Sequence, residues 1–271
     1  LRLAKYVALV FPKFLLNTPE FSTTRAELAQ KSVDAILDFG EKGFPGILVE
    51  TIAIFINNLA APANTKVFSL THRLHLTQPQ AYIFDPELPY WIIYRNQLFD
   101  SVCRKLDFDV FEVFRDRQLT NKLLSSSGEL RVLKSRNLSD DGKEILNIPG
   151  YDSYISYAAA KPLSVFQYLD APNVYLTPNM TYKPRMMKKP PHCVVNGSLA
   201  ILIPKGGIVP TEKQLAYFSS EEYRAFYQIA RNFQTRSLNV DACSVFFYGL
   251  LRDEAKPAPE KFDTSVQLSF L

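Results

Sequence analysis

Phe44 stands between Gly43 and Pro45, with Gly40 and Gly46 close by, and two apolar runs flank this short loop across Ile36–Ile56. Glycines allow backbone angles that other residues avoid, so a ring on such a loop can be held at a sheet edge. There it would offer a stacking platform for a flat ligand; folded back, it would join the core. Basic residues recur with polar and aromatic neighbours in three further groups. Arg115, Arg117, Asn121 and Lys122 form the first, and Arg131, Lys134, Arg136 and Asn137 the second. Asn179, Thr181, Tyr182, Lys183, Arg185, Lys188 and Lys189 form the third. Arg and Lys contact phosphates or guanine edges, Asn pairs bidentately with adenine, and Tyr stacks on an unpaired base. Each group taken alone also reads as a solvated face of an ordinary α/β domain.

Other chemistry is scarce. There is no Gly-x-Ser-x-Gly turn, no Gly-x-x-x-x-Gly-Lys-Ser/Thr phosphate loop and no His-Glu-x-x-His. Gly206 and Gly207 follow Lys205 without the spacing of a phosphate loop. Asp38 and Glu41 are close enough in sequence to act as paired carboxylates, but with no histidine or other partner nearby, loop solvation is the simpler account. The cysteines are Cys103, Cys193 and Cys243, without a Cys-x-x-Cys spacing, and the histidines are His72, His75 and His192. His192 beside Cys193 supplies two ligands only, next to Pro190 and Pro191, which favour a turn. No metal site and no disulfide framework are expected, and a cytoplasmic setting fits. No apolar run reaches about 18 residues, so no membrane span is expected, and no signal peptide is visible.

These residues need elements to position them. Tyr6–Phe11 is a short apolar run that reads as a buried strand ended by Pro12. Thr18 can cap a helix with Pro19 at its first position and Glu20 at its positive end, running to about Gln30. Strand Val33–Phe39, the glycine loop and strand Leu48–Ile56 follow, with Lys66–Ser69 a further candidate for the same sheet. Strand, helix, strand and hairpin-like strand belong to an α/β sheet with a helical crossover. The unit reads as the final third of a larger α/β domain, since so few strands leave a face to be covered.

From about Arg73 the texture becomes short and punctuated. Tyr90–Asp100 is expected to be helical, and Glu129–Lys134, Val174–Thr177 and Ser198–Pro204 to be strands. Ser219 and Glu222 have capping-box spacing, and Tyr223, Phe226, Tyr227 and Ala230 recur at helical intervals to about Phe233. Asp253–Leu271 reads as a peripheral extension. The chain's 271 residues, 47% of them hydrophobic, suffice for one large domain or two ordinary ones. Net charge is only +4, so an anionic partner must be met by local clusters rather than by bulk charge.

Ala8–Asn17, with its strand running into Pro12-Lys13, resembles strand five and the following turn of gamma-class N6-adenine DNA methyltransferases. The helix with Arg25 and the run Ser32–Gly40 resemble that family's next helix and strand six. Gly43-Phe44-Pro45 with Leu48–Ile56 resembles its loop and antiparallel strand seven. Leu130–Leu138 resembles a segment of the family's target-recognition domains ending in Arg-Asn-Ile/Leu, and Val174–Arg185 a later strand and basic turn. The closing strand and helix also find counterparts, so the resemblance covers nearly the whole chain. It is less specific after residue 72, because related domains occur in specificity subunits of type I restriction systems.

The resemblance implies a division into residues 1–72, the C-terminal part of a Rossmann-like methyltransferase sheet, and residues 73–271, a mixed α+β target-recognition domain. It implies sequence-specific adenine-N6 methylation of double-stranded DNA within a restriction-modification system. Phe44 would stack on the target adenine after it leaves the duplex. DNA contacts would come from Arg115, Arg117, Lys134, Arg136, Asn137, Asn179, Thr181, Tyr182, Lys183 and Arg185. The sequence departs from the family in one respect: it has neither the Phe-x-Gly-x-Gly cofactor loop nor the Asn-Pro-Pro-Tyr/Phe motif. Both precede strand five in the family, and the chain begins with Leu1 and a strand almost at once. These residues are therefore expected to be a fragment, inactive alone and without S-adenosylmethionine, which the complete enzyme would bind through an N-terminal half on the same or another chain. A cognate restriction endonuclease is a further implied partner. Two other roles fit the residues: a non-catalytic DNA-specificity subunit, or a protein-binding module derived from this fold.

Overall fold

The strand Tyr6–Pro12 (β1) leads through two 3-10 turns, Lys13–Leu16 and Pro19–Phe21, to a helix Ser22–Ala29 (α1) and a second strand Ser32–Gly40 (β2). The computed structural model describes residues 4–44, 46, 48–234 and 239–252. Strands Thr51–Asn57 (β3), Asn64–Ser69 (β4) and Leu74–Pro79 (β5) complete one sheet, followed by helices Gln80–Ile83 (α2) and Gln97–Lys105 (α3). The strand order is β1-β3-β2-β4-β5. β3 lies between β1 and β2 and runs antiparallel to both, so β1-α1-β2 is a crossover between two mutually parallel strands. β4 is parallel to β2 and β5 antiparallel to β4. The expected sheet is present and gains β5, which lies beyond the change of texture read at Arg73.

Alternation along these strands sends Val33, Ile36, Ile52, Ile54, Ile56 and Val67 into the core with Leu15, Leu16 and Leu28. On the opposite face Ala8, Phe55 and Ala35 are in register, as are Val10, Ala53, Leu37 and Phe68. Val10 and Phe55 are exposed there, so this face of the sheet is apolar and open.

Two helix starts differ from expectation. Thr18 is extended and makes no capping bond, and Pro19–Phe21 forms a 3-10 turn ahead of α1. The carbonyls of Leu15 and Thr18 instead accept from the buried Arg25 guanidinium, both at 2.7 Å. Residues 90–96 are not helical; Tyr90, Trp91, Ile92, Ile93 and Tyr94 form a buried strap. Asn232 replaces a helical ladder there, accepting from Ile93 N at 2.9 Å and donating to Trp91 O at 2.8 Å.

The chain forms two compact units. The first comprises Leu1–Arg104, Gln228–Leu238 and Lys256–Leu271, and the second Lys105–Tyr227 and Asn239–Ala255. Arg73 thus falls inside the first unit. The second contains strands Leu106–Asp107 (β6), Phe111–Phe114 (β7), Leu130–Leu133 (β8) and Ser153–Ile155 (β9), and helix Tyr157–Ala160 (α4). Strands Tyr175–Pro178 (β10), Met187–Lys188 (β11), Cys193–Val195 (β12) and Leu199–Pro204 (β13) follow. Helices Glu212–Tyr217 (α5) and Glu221–Ala230 (α6) and strand Leu250–Leu251 (β14) close the order. Its sheets run β11-β10-β13-β7, β12-β8-β9 and β14-β6. Val132, Leu133, Leu176, Val194, Leu199 and Ile201 belong to one buried cluster that joins the two larger sheets.

The whole is a mixed α/β protein. α6 starts one residue later than a Ser219 cap requires: Ser220 Oγ accepts from Tyr223 N at 3.1 Å, whereas Ser219 Oγ donates to Asp141 O at 2.9 Å. Its buried face is the expected Tyr223, Phe226, Tyr227 and Ala230, but it ends at Ala230 rather than Phe233. Among the described residues no helix is long and apolar enough to cross a membrane. Pro45 and Asp253–Leu271 lie outside the described residues.

Candidate nucleic-acid interface

In the first unit Phe44 sits in the turn after β2 and is 45% exposed. The backbone around it demands glycine. Gly40 has φ of +56°, and a Cβ there would lie 2.2 Å from Thr71 Oγ1; at Gly43 a Cβ would lie 2.2 Å from Thr51 Oγ1. Gly40 and Gly43 are therefore drawn tightly onto the turn after β4 and the start of β3, and Phe44 is left exposed. A bulge between Asp38 and Gly40 ends the regular pairing of β2 just before it.

Asp38 is not a loop-solvated partner of Glu41. It is fully buried, with its carboxylate 2.7 Å from the Lys13 ammonium and accepting from Tyr94 OH and, at 2.9 Å, from Gly40 N. Glu50, also buried, lies 3.4 Å from the same ammonium. His72 packs against Tyr94 and Phe233 nearby. Burial, and then the Lys13 charge, hold its pKa below the ordinary value.

In the second unit the three basic groups, distant in sequence, are tied to one turn, Asn196-Gly197-Ser198. Ser135 N donates to Ser198 Oγ at 2.9 Å, and Asn196 N to Leu133 O at 3.1 Å. Asn179 N donates to Ser198 O at 2.9 Å, and Asn179 Nδ2 to Gly197 O at 3.1 Å. Gly197 admits the strand end carrying Arg115 and Arg117, because a Cβ there would lie 2.7 Å from Asp116 O.

Three of the expected contact residues are buried and bonded within the protein. Asn137 is fully buried, its Oδ1 accepting from Lys134 N at 2.9 Å and its Nδ2 donating to Asp152 Oδ1 at 2.7 Å and Leu146 O at 3.1 Å. Asn179 is buried likewise; besides Gly197 O it holds Asn239 Oδ1 and Val240 N. Arg185 spends its guanidinium on the carbonyls of Lys183, Ser135 and Leu138. These groups bond within the protein in this conformation. Arg131 and Lys189 are engaged in the same way, Arg131 with Asp152 at 3.0 Å and Lys189 with Leu169 O at 2.7 Å.

Other members stay on the surface. Arg117, Arg136, Tyr182 and Lys183 are exposed, and Arg115 is half-buried. Burial and the neighbouring Arg117 charge push Arg115 down from its ordinary pKa, with Asp241 opposing, so an anion placed there would relieve the crowding. Arg136 lies over the Tyr151 ring at 4.7 Å, and the Lys134 ammonium over the same ring at 3.9 Å. That stack holds two cations side by side at little entropic cost. Lys134 also donates to Tyr151 O and to Ser153 Oγ, the latter at 3.0 Å. Thr181 closes the turn with Lys183, accepting from its N at 2.9 Å and donating to its O at 3.0 Å. Lys183 pairs with exposed Asp140 at 2.7 Å, and that bond to lysine holds the Asp140 carboxyl below its ordinary value.

Sequence reasoning missed the ion pairs of Lys13, and also Tyr151, Asp152 and the Asn196–Ser198 turn. Asn-Gly-Ser is a turn signal in its own right; nothing local marks Lys13 as the partner of Asp38 and Glu50. His192 pairs with Asp170 at 3.2 Å, and Cys193 lies in β12. Among the described residues no group of three or more His, Cys, Asp or Glu side chains could hold a metal ion.

No protein-family model matches the chain, and no curated protein matches it. Among solved structures, the type IIG restriction endonuclease BpuSI is similar over 90% of this chain and 39% of that one, with 9% identity and a TM-score of 0.33. The chain thus spans well under half the length of that protein.

Proposed function

We propose that this chain is the DNA-recognising part of a restriction-modification adenine-N6 methyltransferase. The observation that carries the reading is the gathering of three sequence-distant basic groups about one turn of the second unit, where buried asparagine and arginine side chains brace exposed cations. Backbone-positioning cations need such a scaffold, because phosphate contacts fix register while base contacts specify. Arg117, Arg136 and Lys183 would meet double-stranded DNA first, with Arg115, Lys134 and Tyr182 beside them.

The first unit supports the methyltransferase component. A β-α-β crossover, a tight glycine loop with an exposed aromatic and an antiparallel return strand follow the order that the resemblance implies. Taking a base out of the stack costs a few kcal/mol, and stacking on Phe44 would return about 1–3 kcal/mol. The chain's contribution to transfer is then positional: it holds the adenine ring face and the surrounding duplex. S-adenosylmethionine would supply the methyl group in the complete enzyme. The cofactor and Asn-Pro-Pro-Tyr/Phe motifs are not in this sequence, and Lys13, Asp38, Glu50 and Tyr94 are engaged with one another, so no chemical step is assigned to this chain through that group. The open apolar face carrying Val10 and Phe55 would be covered by the catalytic half.

Selection of duplexes from a random-sequence pool tests the reading. Enrichment of one adenine-containing site is expected. Retention without enrichment would remove the specificity claim, and no retention at low salt would remove the DNA claim.

A further inference from the structure

We infer that Lys13 is a positioning residue for Phe44: it is a buried strut tying together the two ends of the loop that carries the ring. The inference rests on the proposed stacking role of Phe44. Asp38 precedes the loop and Glu50 follows it, and the Lys13 ammonium reaches both carboxylates, at 2.7 and 3.4 Å. Lys13 N also donates to Glu50 O at 2.7 Å, so the 3-10 turn Lys13–Leu16 after β1 grips the far end of the loop through both backbone and side chain. At the near end, Asp38 Oδ1 accepts from Gly40 N at 2.9 Å, fixing the turn whose φ only glycine adopts easily. Tyr94 OH adds a donor to Asp38 Oδ2, and its ring lies 5.8 Å from the ammonium.

The placement argues for function. Buried ions are costly, and an apolar trio of similar volume would hold a core at least as well. What such a trio cannot do is fix two chain ends to one point by directional bonds. Pinning Asp38 and Glu50 to one ammonium narrows the positions open to Phe44 before a base arrives, so that capture does not have to supply that ordering.

The test places 4-fluorophenylalanine at position 44 of the full chain and reads its fluorine line. In the unsubstituted chain the line should be as broad as tumbling of the whole protein requires. In Lys13→Met, and in Lys13→Met/Asp38→Asn/Glu50→Gln, which removes the buried charges together, it should narrow by about twofold or more as the loop gains nanosecond motion. An already sharp line in the unsubstituted chain, or an unchanged line in a triple variant that still melts cooperatively, would overturn the strut. Emission of 2-aminopurine at the target position is read in parallel. A narrowed fluorine line with no base-capture signal from any chain would leave the strut standing and remove the stacking role.

Discussion

Phe44→Ala removes a ring that the fold leaves 45% exposed. In the complete enzyme it should lower the base-capture equilibrium, read by 2-aminopurine at the target position, by about 5- to 150-fold, following a stacking contribution of about 1–3 kcal/mol. Overall affinity for the duplex should change little; an unchanged 2-aminopurine signal would count against the stacking role. Arg136 and Asn137 separate the two functions that adjacent residues can have. Arg136→Ala should leave the melting curve in place and weaken DNA binding, whereas Asn137→Ala should cost about 1–3 kcal/mol of stability by orphaning buried partners, read by urea denaturation. The sequence made these two look alike, because residue type reports what a group can bond and not which way the backbone turns it. The 3-10 turn at Ser135–Asn137 settles the direction.

At the scale of elements, caps are sharply position-dependent. Ser220→Ala should cost about 0.5–2 kcal/mol, because Ser220 holds Tyr223 N at the start of α6. Thr18→Ala should shift stability far less, since Thr18 makes no capping bond; equal losses in denaturation curves would contradict the assignment. Thr18 had the right residue type and Pro19 the right neighbour, but the 3-10 turn Pro19–Phe21 comes between Thr18 and α1. The turn around Asp152 makes a pH prediction. Burial alone would raise this carboxyl, but bonds from Ile148 N, Asn137 and Arg131 hold it below its ordinary value of 3.8. A folded pKa below the unfolded one means the stabilisation is present above that value and is lost as pH falls through the lower folded one. Asp152→Asn should therefore lower stability at neutral pH and flatten the acid limb of the stability curve below about pH 4. A limb as steep as the parent's would contradict it. Strong periodic runs such as Val33–Phe39 were legible as strands. The strap at residues 90–96 was not, because its apolar residues fit a helix until Asn232, more than a hundred positions away, supplies their bonds.

At the scale of the whole molecule, a net charge of +4 conceals a local concentration of cations. The sequence showed three basic groups but not that Asn196–Ser198 would hold them together, since that depends on the pairing of β8, β10, β12 and β13. The open apolar face of the first sheet was foreseeable from the strand count, while its edge strand β5 was not, because it lies beyond the change of texture at Arg73. If Arg115, Arg117, Arg136 and Lys183 each meet a phosphate, the logarithm of affinity should fall with the logarithm of salt at a slope of about −3 to −4. The measurement that tests the account most directly is a fluorescence-anisotropy titration of a labelled duplex across salt, comparing the chain with Arg117→Ala/Arg136→Ala/Lys183→Ala. The account predicts steeply salt-dependent binding that the triple variant loses by at least tenfold with an unaltered melting curve. Equal binding by the two chains, or none by either at low salt, would contradict it.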